Sequence, residues 1–376
     1  MKKKILVVFG TRPEAIKFAP LINGLREQND FEVIICITSQ HKEMLQQVLY
    51  FFEIKVDYDL DLMMPNQDLA TLTSAVLSNL SQVFKECRPD LVLVQGDTTT
   101  AFAASLAAFY EKIPVAHLEA GLRSHQMYSP FPEEINRKLI ASMSSLHFAP
   151  TIQAAQHLQQ EGITDKVVIT GNTVVDALLM GLKILDQSGV TAQMHFPFLD
   201  MSKRIILVTG HRRESFGSGF EHICEALRIL ALRYPDAQIL YPVHLNPNVQ
   251  EPVHRLLGGI GNVHLIQPVS YEKMLLLLQC CYLVLTDSGG VQEEAPSLGK
   301  PVVVMRDVTE RTEGISAGTA LLAGTSTERI VHYVTELMDN STNYQQMSRS
   351  INPYGDGNSS KKIVQIIKDY FEHASS

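Results

Sequence analysis

Three carboxylates in the first half of the chain, Asp97, Glu119 and Glu133, sit on three separate turns. Carboxylates gathered at one cleft can divide general-acid and general-base work when their surroundings push their pKa values apart. Taken singly, each also reads as a loop or cap residue, and Asp97 before Thr98 reads as a helix cap. Phe131 and Pro132 beside Glu133 would supply the apolar surroundings that raise a carboxyl pKa. In the second half His211-Arg212-Arg213 sets three potential cations beside Gly210, and arginine matches phosphate oxygens bidentately. A solvated charge cluster is the plainer reading of that tripeptide, but its place at the end of an apolar run favours an anionic ligand. Ser288-Gly289-Gly290 follows another apolar run and opens a helical stretch, a geometry whose backbone N–H groups and dipole hold phosphate. Glu294 follows one and a half turns later, within reach of a sugar diol; the plainer reading is a tight turn with a surface glutamate. The GxxxxGK[ST] spacing is missing, which argues against a P-loop enzyme, and no HExxH, GxSxG or CxxC pattern competes. His222 and His332 read as helix-surface residues and Cys280-Cys281 as core packing.

The elements that must carry these groups are written in a repeat. Lys4 to Glu14 aligns without gaps on Arg204 to Glu214, with Ile5/Ile205, Val8/Val208, Gly10/Gly210, Arg12/Arg212 and Glu14/Glu214 identical. Each segment is an apolar run, a glycine and a charged helix start, the pattern of a buried parallel strand turning into a helix. The runs Val33–Thr38, Leu91–Gln95, Pro114–Leu118 and Val167–Thr170 alternate with helical stretches in the first half. Ile205–Thr209, Gln238–Pro242, Val263–Ile266, Leu283–Thr286 and Val302–Met305 do so in the second. The fold class is therefore α/β, with two Rossmann-like, doubly wound domains facing a cleft. The polar stretch Asp186–Lys203 marks the boundary, giving a first domain at 1–185, a second at 186–358 and a closing amphipathic helix within 359–376. Ligands of such sheets bind beyond the C-terminal strand ends. Thr11, Arg12 and Lys17, Asp97, Glu119, Glu133 and Glu134, then His211 to Glu214, His244 and Asp287 to Glu294 all belong there. Carboxylates dominate the first half and cations the second.

Composition narrows the class further. The 376 residues carry 32 Lys and Arg against 40 Asp and Glu, a net charge of −8, which suits neither nucleic acid nor an anionic membrane surface. Five cysteines without a CxxC pair argue against a zinc cage or a disulfide framework. The apolar run Ile5–Phe9 is too short for a signal-peptide core, and Met274–Thr286, at 13 residues, is too short to span a bilayer. The expectation is a soluble, cytoplasmic protein.

Taken together these segments resemble the bacterial non-hydrolysing UDP-N-acetylglucosamine 2-epimerases. The resemblance runs from Phe9-Gly-Thr-Arg-Pro-Glu-Ala-Ile-Lys17 through Gly96-Asp-Thr-Thr-Thr100, Glu119-Ala-Gly-Leu-Arg123, Pro132-Glu-Glu134 and Gly210-His-Arg-Arg-Glu214. It continues through Tyr241–Pro247 and Thr286–Gly299 to Asn352-Pro-Tyr-Gly-Asp-Gly357. It implies the glycosyltransferase type B fold, with the final helix crossing back to the first domain, and a homodimer needing neither NAD nor metal. The implied reaction interconverts UDP-GlcNAc and UDP-ManNAc by expelling UDP from C1 while the C2 proton is removed, giving 2-acetamidoglucal, to which UDP re-adds. The matching catalytic positions are Asp97, Glu119, Glu133 and His211. The substrate contacts implied are Arg12, Lys17, Arg212, His244, Ser288, Gly289, Gly290, Glu294 and Arg311. Gln40, His41 and Gln67 fall in segments that in many relatives bind a second, activating UDP-GlcNAc. Gln95, Ser124-His125-Gln126 and Thr312 depart from common forms of the family without removing a catalytic group.

Three rivals remain at this level. A glycosyltransferase of the same fold would turn over only with an acceptor. A hydrolysing epimerase would release free ManNAc. A silent UDP-sugar binder would have no reason to keep Asp97, Glu119, Glu133 and His211 together.

Overall fold

A computed structural model describes residues 2–39, 42–62 and 67–373. Gln40 and His41 lie outside the described residues. The chain divides into two compact units, one formed by residues up to Leu179 together with Tyr354 onward, the other by Met180–Pro353. The division falls inside the helix Thr173–Ser188. Within the stretch that follows, Phe196 and Leu199 are buried in the core of the second unit.

The first unit holds strands β1 (Lys3–Phe9), β2 (Phe31–Ile37), β3 (Tyr58–Asp59), β4 (Leu91–Gln95), β5 (Val115–Leu118), β6 (Leu146–Ala149) and β7 (Val167–Ile169). They form one parallel sheet in the order β3-β2-β1-β4-β5-β6-β7. The second unit holds β8 (Ile205–Thr209), β9 (Gln238–Pro242), β10 (Val263–Ile266), β11 (Leu283–Thr286), β12 (Val302–Val304) and β13 (Ala320–Leu322). Their order is β10-β9-β8-β11-β12-β13, again parallel. The second order is the doubly wound 3-2-1-4-5-6 arrangement, and the first is the same with a seventh strand added; in both the chain reverses direction across the sheet beside its first strand. The repeated segments are thus β1 and β8, the first and central strands of the two sheets. The short strands β3, β6 and β13 were not among the apolar runs.

Continuous apolar strands follow from helices on both sheet faces. Alternate residues of β1 go to opposite sides: Leu6 and Val8 join a core with Val76, Leu80, Ala103 and Ala104. Phe9, on the other side, packs its ring 5.6 Å from that of Phe18. Each such side chain removed from water contributes about 1.5–3 kcal/mol. The final helix, Ser359–His373, puts Phe371 with its ring 6.0 Å from Phe31 of β2. Ile206 and Val208 of β8 pack with Phe220, Ile223 and Leu227, while Ile205 and Leu207 face Leu277 and Leu278. No helix among the described residues is long and apolar enough to cross a membrane.

Candidate functional site

In the first unit the chain leaves β4 through Gly96, whose φ of +68° is free only for glycine. The next residue, Asp97, pairs with the guanidinium of Arg137, which Glu134 holds at 3.3 Å from the other side. Glu134 is fully buried and also accepts the backbone N–H groups of Ser124 and His125, at 2.9 and 3.2 Å. The expected cap role of Asp97 is corrected here: Thr98 is the N-cap, its hydroxyl accepting from the Ala101 N–H at 3.0 Å. Behind the turn, the buried imidazole of His117 on β5 bonds the Gly96 carbonyl at 2.7 Å through Nε2. Burial pushes its pKa down to about 3.

Glu119, the residue after strand β5, holds a left-handed φ of +60°. A non-glycine residue pays about 1–2 kcal/mol there, a strain kept where the surroundings fix the side chain. Those surroundings are Lys17, whose ammonium donates to both carboxylate oxygens at 2.7 and 2.6 Å, Gln95 from β4, and Asn172 at 3.1 Å. The loop onward is pinned in turn. A Cβ on Gly121 would stand 2.1 Å from the Ala154 carbonyl oxygen, and Arg123 grips Glu161 with bonds of 2.9 and 2.6 Å. Asp97 keeps 27% of its side chain exposed and Glu119 only 7%. Asp97 is thus the more open to an incoming ligand.

Glu133 is the first residue of the helix Glu133–Met143, whose fourth turn-side neighbour Arg137 reaches Asp97. Of the two residues expected to give Glu133 apolar surroundings, Phe131 is 61% exposed, its ring 6.3 Å from that of Tyr128, and Pro132 is half-buried. Arg12 opens the helix Arg12–Arg26, with Pro13 in its first turn and Glu14 reaching back to the Thr11 N–H at 2.8 Å. Gln67 lies just before Asp68, the N-cap of Leu69–Cys87.

In the second unit His211 follows β8, with its ring parallel to that of His244, 5.1 Å between centroids and 11° between planes. Burial lowers the His211 pKa, against the opposing pull of Asp287. The backbone N–H groups of His211 and Arg212 both donate to one oxygen of Asp287, at 2.6 and 2.7 Å. Ser288 caps the helix Gly289–Glu294 without a side-chain bond of its own. Gly289 leaves room for Arg311: an added Cβ would lie 2.4 Å from its Cζ and push the guanidinium aside. Glu294 is buried, not at the surface, and accepts from the Tyr271 hydroxyl at 3.2 Å.

The expected division into an acidic and a cationic half gives way to local pairing. Lys17 and Arg137 answer the carboxylates of the first unit, and Glu293 and Glu310 answer Arg311 in the second. Burial would raise the Glu310 carboxyl, but Arg311 and Arg306 overcome it and hold it at about 2. Arg137, Asn172 and Asp287 were assigned no role from sequence. Arg137 and Asn172 stand outside every recognised segment; Asp287 stood within one, overshadowed by its glycines. Among the described residues no three His, Cys, Asp or Glu side chains gather closely enough to hold a metal ion.

Two braced carboxylates thus stand at adjacent strand ends in one unit, and a histidine stands beside a Ser-Gly-Gly turn in the other. The profile of the UDP-N-acetylglucosamine 2-epimerase family matches residues 23–368. The chain belongs to that family. It is accordingly an isomerase. The UDP-N-acetylglucosamine 2-epimerase of Escherichia coli K12 is 53% identical over 370 residues, covering 97% of this chain and 98% of its own. A Neisseria meningitidis UDP-GlcNAc 2-epimerase crystallised with UDP-GlcNAc is 50% identical, with a TM-score of 0.92 over 97% of this chain and 100% of that one. A sucrose-phosphate synthase from Thermosynechococcus elongatus, 12% identical with a TM-score of 0.66 over the full length of both, shares the fold alone. The epimerase-family chain thus has the two Rossmann-like halves of the glycosyltransferase type B fold.

Proposed function

We propose that this chain interconverts UDP-N-acetylglucosamine and UDP-N-acetylmannosamine without a cofactor. The observation that carries the reading is the pair of braced carboxylates, Asp97 on Arg137 and Glu119 on Lys17, at the C-terminal ends of neighbouring strands. The C2 proton of the sugar is not next to a carbonyl, so its removal needs an outlet for the electron pair. Expulsion of UDP provides one: the C2–H bond breaks, a C1–C2 double bond forms, and the C1–O electrons leave with the diphosphate. UDP then adds back to 2-acetamidoglucal at C1 while C2 is reprotonated from the opposite face. Asp97, Glu119 and Glu133 supply the acid and base groups. His211, Arg12, Lys17 and Arg212 answer the charge developing on the diphosphate. Ser288, Gly289, Gly290 and Arg311 hold the phosphates, and Glu294 the ribose.

In this reading the first unit brings the proton-transfer groups together with Arg12 and Lys17, and the second unit brings the remaining nucleotide contacts. The protein works as a cytoplasmic homodimer that supplies ManNAc units for a cell-surface polysaccharide. Proton NMR of the purified protein with UDP-GlcNAc in D2O, without acceptor or cofactor, tests the reaction. UDP-ManNAc carrying deuterium at C2 is the expected product. Intact, protonated UDP-GlcNAc after long incubation with folded protein would overturn the proposal, and free ManNAc would reassign the chain to hydrolysing chemistry.

A further inference from the structure

Two buried carboxylates perform the same backbone task in the two units, and only one of them is fully used by it. In the first, Glu14 takes the N–H groups of Gly10 and Thr11 on Oε2, at 3.1 and 2.8 Å, and the Thr98 hydroxyl on Oε1 at 2.7 Å. In the second, Asp287 takes the N–H groups of His211 and Arg212 on Oδ2. Its Oδ1 is buried and has no hydrogen-bond partner among the described residues. That oxygen lies 3.7 Å from Nδ1 of His211. A buried carboxylate oxygen ordinarily finds a donor, and the imidazole is the group standing in front of it.

The geometry points to Asp287 as a positioning residue for His211: its free Oδ1 takes the Nδ1–H of the imidazole and turns Nε2 outward. The inference rests on the role given to His211 above. The ring is held on its face by His244, which is itself oriented by the Asn246 N–H at 3.1 Å from its Nδ1. The separation is 3.7 Å, and such bonds commonly tighten only when substrate is bound. Asp287 is 2% exposed, so its charge acts at close range on a ring that can become imidazolium as diphosphate leaves. Asp287 itself touches no substrate. It sets which ring nitrogen carries the proton.

Asp287→Asn separates this role from the structural one. The two backbone donors require the amide oxygen at the Oδ2 position, so the turn keeps its bonds while the –NH2 group replaces Oδ1. His211 Nδ1 must then accept instead of donate, which moves the proton to Nε2. The tautomer is read by 13C and 15N NMR of histidine-labelled protein, with His211→Gln assigning the signal. The wild type is expected to show Nδ1–H, and Asp287→Asn to show Nε2–H with little change in thermal midpoint. In the epimerisation assay kcat should fall about a hundredfold or more with KM little changed. Adding Asp287→Asn to His211→Gln should cost nothing further. An Nε2–H tautomer in the wild type, or independent effects of the two substitutions, would overturn the inference. The tautomer measurement needs no turnover, so it stands apart from any failure of the proposed reaction.

Discussion

Lys17 and Glu119 are 102 residues apart in sequence, and the ammonium of one lies within 2.7 Å of both carboxylate oxygens of the other. Lys17 projects from the helix that follows β1, and Glu119 directly follows β5, two strands away in the same sheet. The pair is nearly buried, with side-chain exposures of 10% and 7%. It gives the strained φ of Glu119 a purpose: the left-handed backbone aims the carboxylate at the ammonium and at Gln95 and Asn172.

A unit of this kind acts as one group. Glu119→Gln and Lys17→Met are each expected to slow epimerisation by about 10²–10⁴-fold. The double variant should be no slower than the worse single one. Rates of deuterium entry at C2 measure all three. Multiplicative losses would mean that the two side chains act separately.

Gly289 is where the fold of the second unit meets the phosphate contacts proposed for it. In Gly289→Ala the new methyl would overlap the Arg311 guanidinium, displacing it from Glu293. The strain should lower stability by about 1–3 kcal/mol and weaken UDP binding at least about tenfold, near 1.4 kcal/mol. Calorimetric titration with UDP reads the second effect.

His117 gives the fold an acid sensitivity that is separate from catalysis. Its folded-state pKa, about 3, lies below the ordinary value near 6.5, so unfolding at intermediate pH takes up a proton. Stability is then complete above about pH 6.5 and is lost as pH falls toward the folded value. Between pH 7 and pH 5 the loss from this one group is about 2 kcal/mol. His147, its register partner on β6, is also depressed by burial and adds to the trend. His117→Gln keeps a donor for the Gly96 carbonyl and removes the titration. Urea unfolding at pH 7 and pH 5 should show a smaller difference for this variant than for the wild type.

The repeat shows how far sequence reading reaches. Gly10 and Gly210 were identical in the alignment and do sit at equivalent places, each the first residue after the first strand of its sheet. Glu14 and Glu214 were also identical and do different work. Glu14 is buried under Gly10 and Thr11, whereas Glu214 is half exposed and pairs with Arg306 at 2.6 Å. The counterpart of Glu14 is Asp287, 73 positions beyond Glu214 and on another strand end. No alignment register could have matched them.

Alternating apolar runs, turn glycines and the family segments determined two parallel α/β units and the residue types at their strand ends. These are local properties, since burial and period are written in neighbouring residues. Partnership is different. Arg137 on Asp97, Lys17 on Glu119 and Asp287 on His211 depend on strand order, which brings β4 beside β5 and β11 beside β8 across tens of residues. Only the tertiary structure decided those pairs, because a side chain bonds what is near it in space.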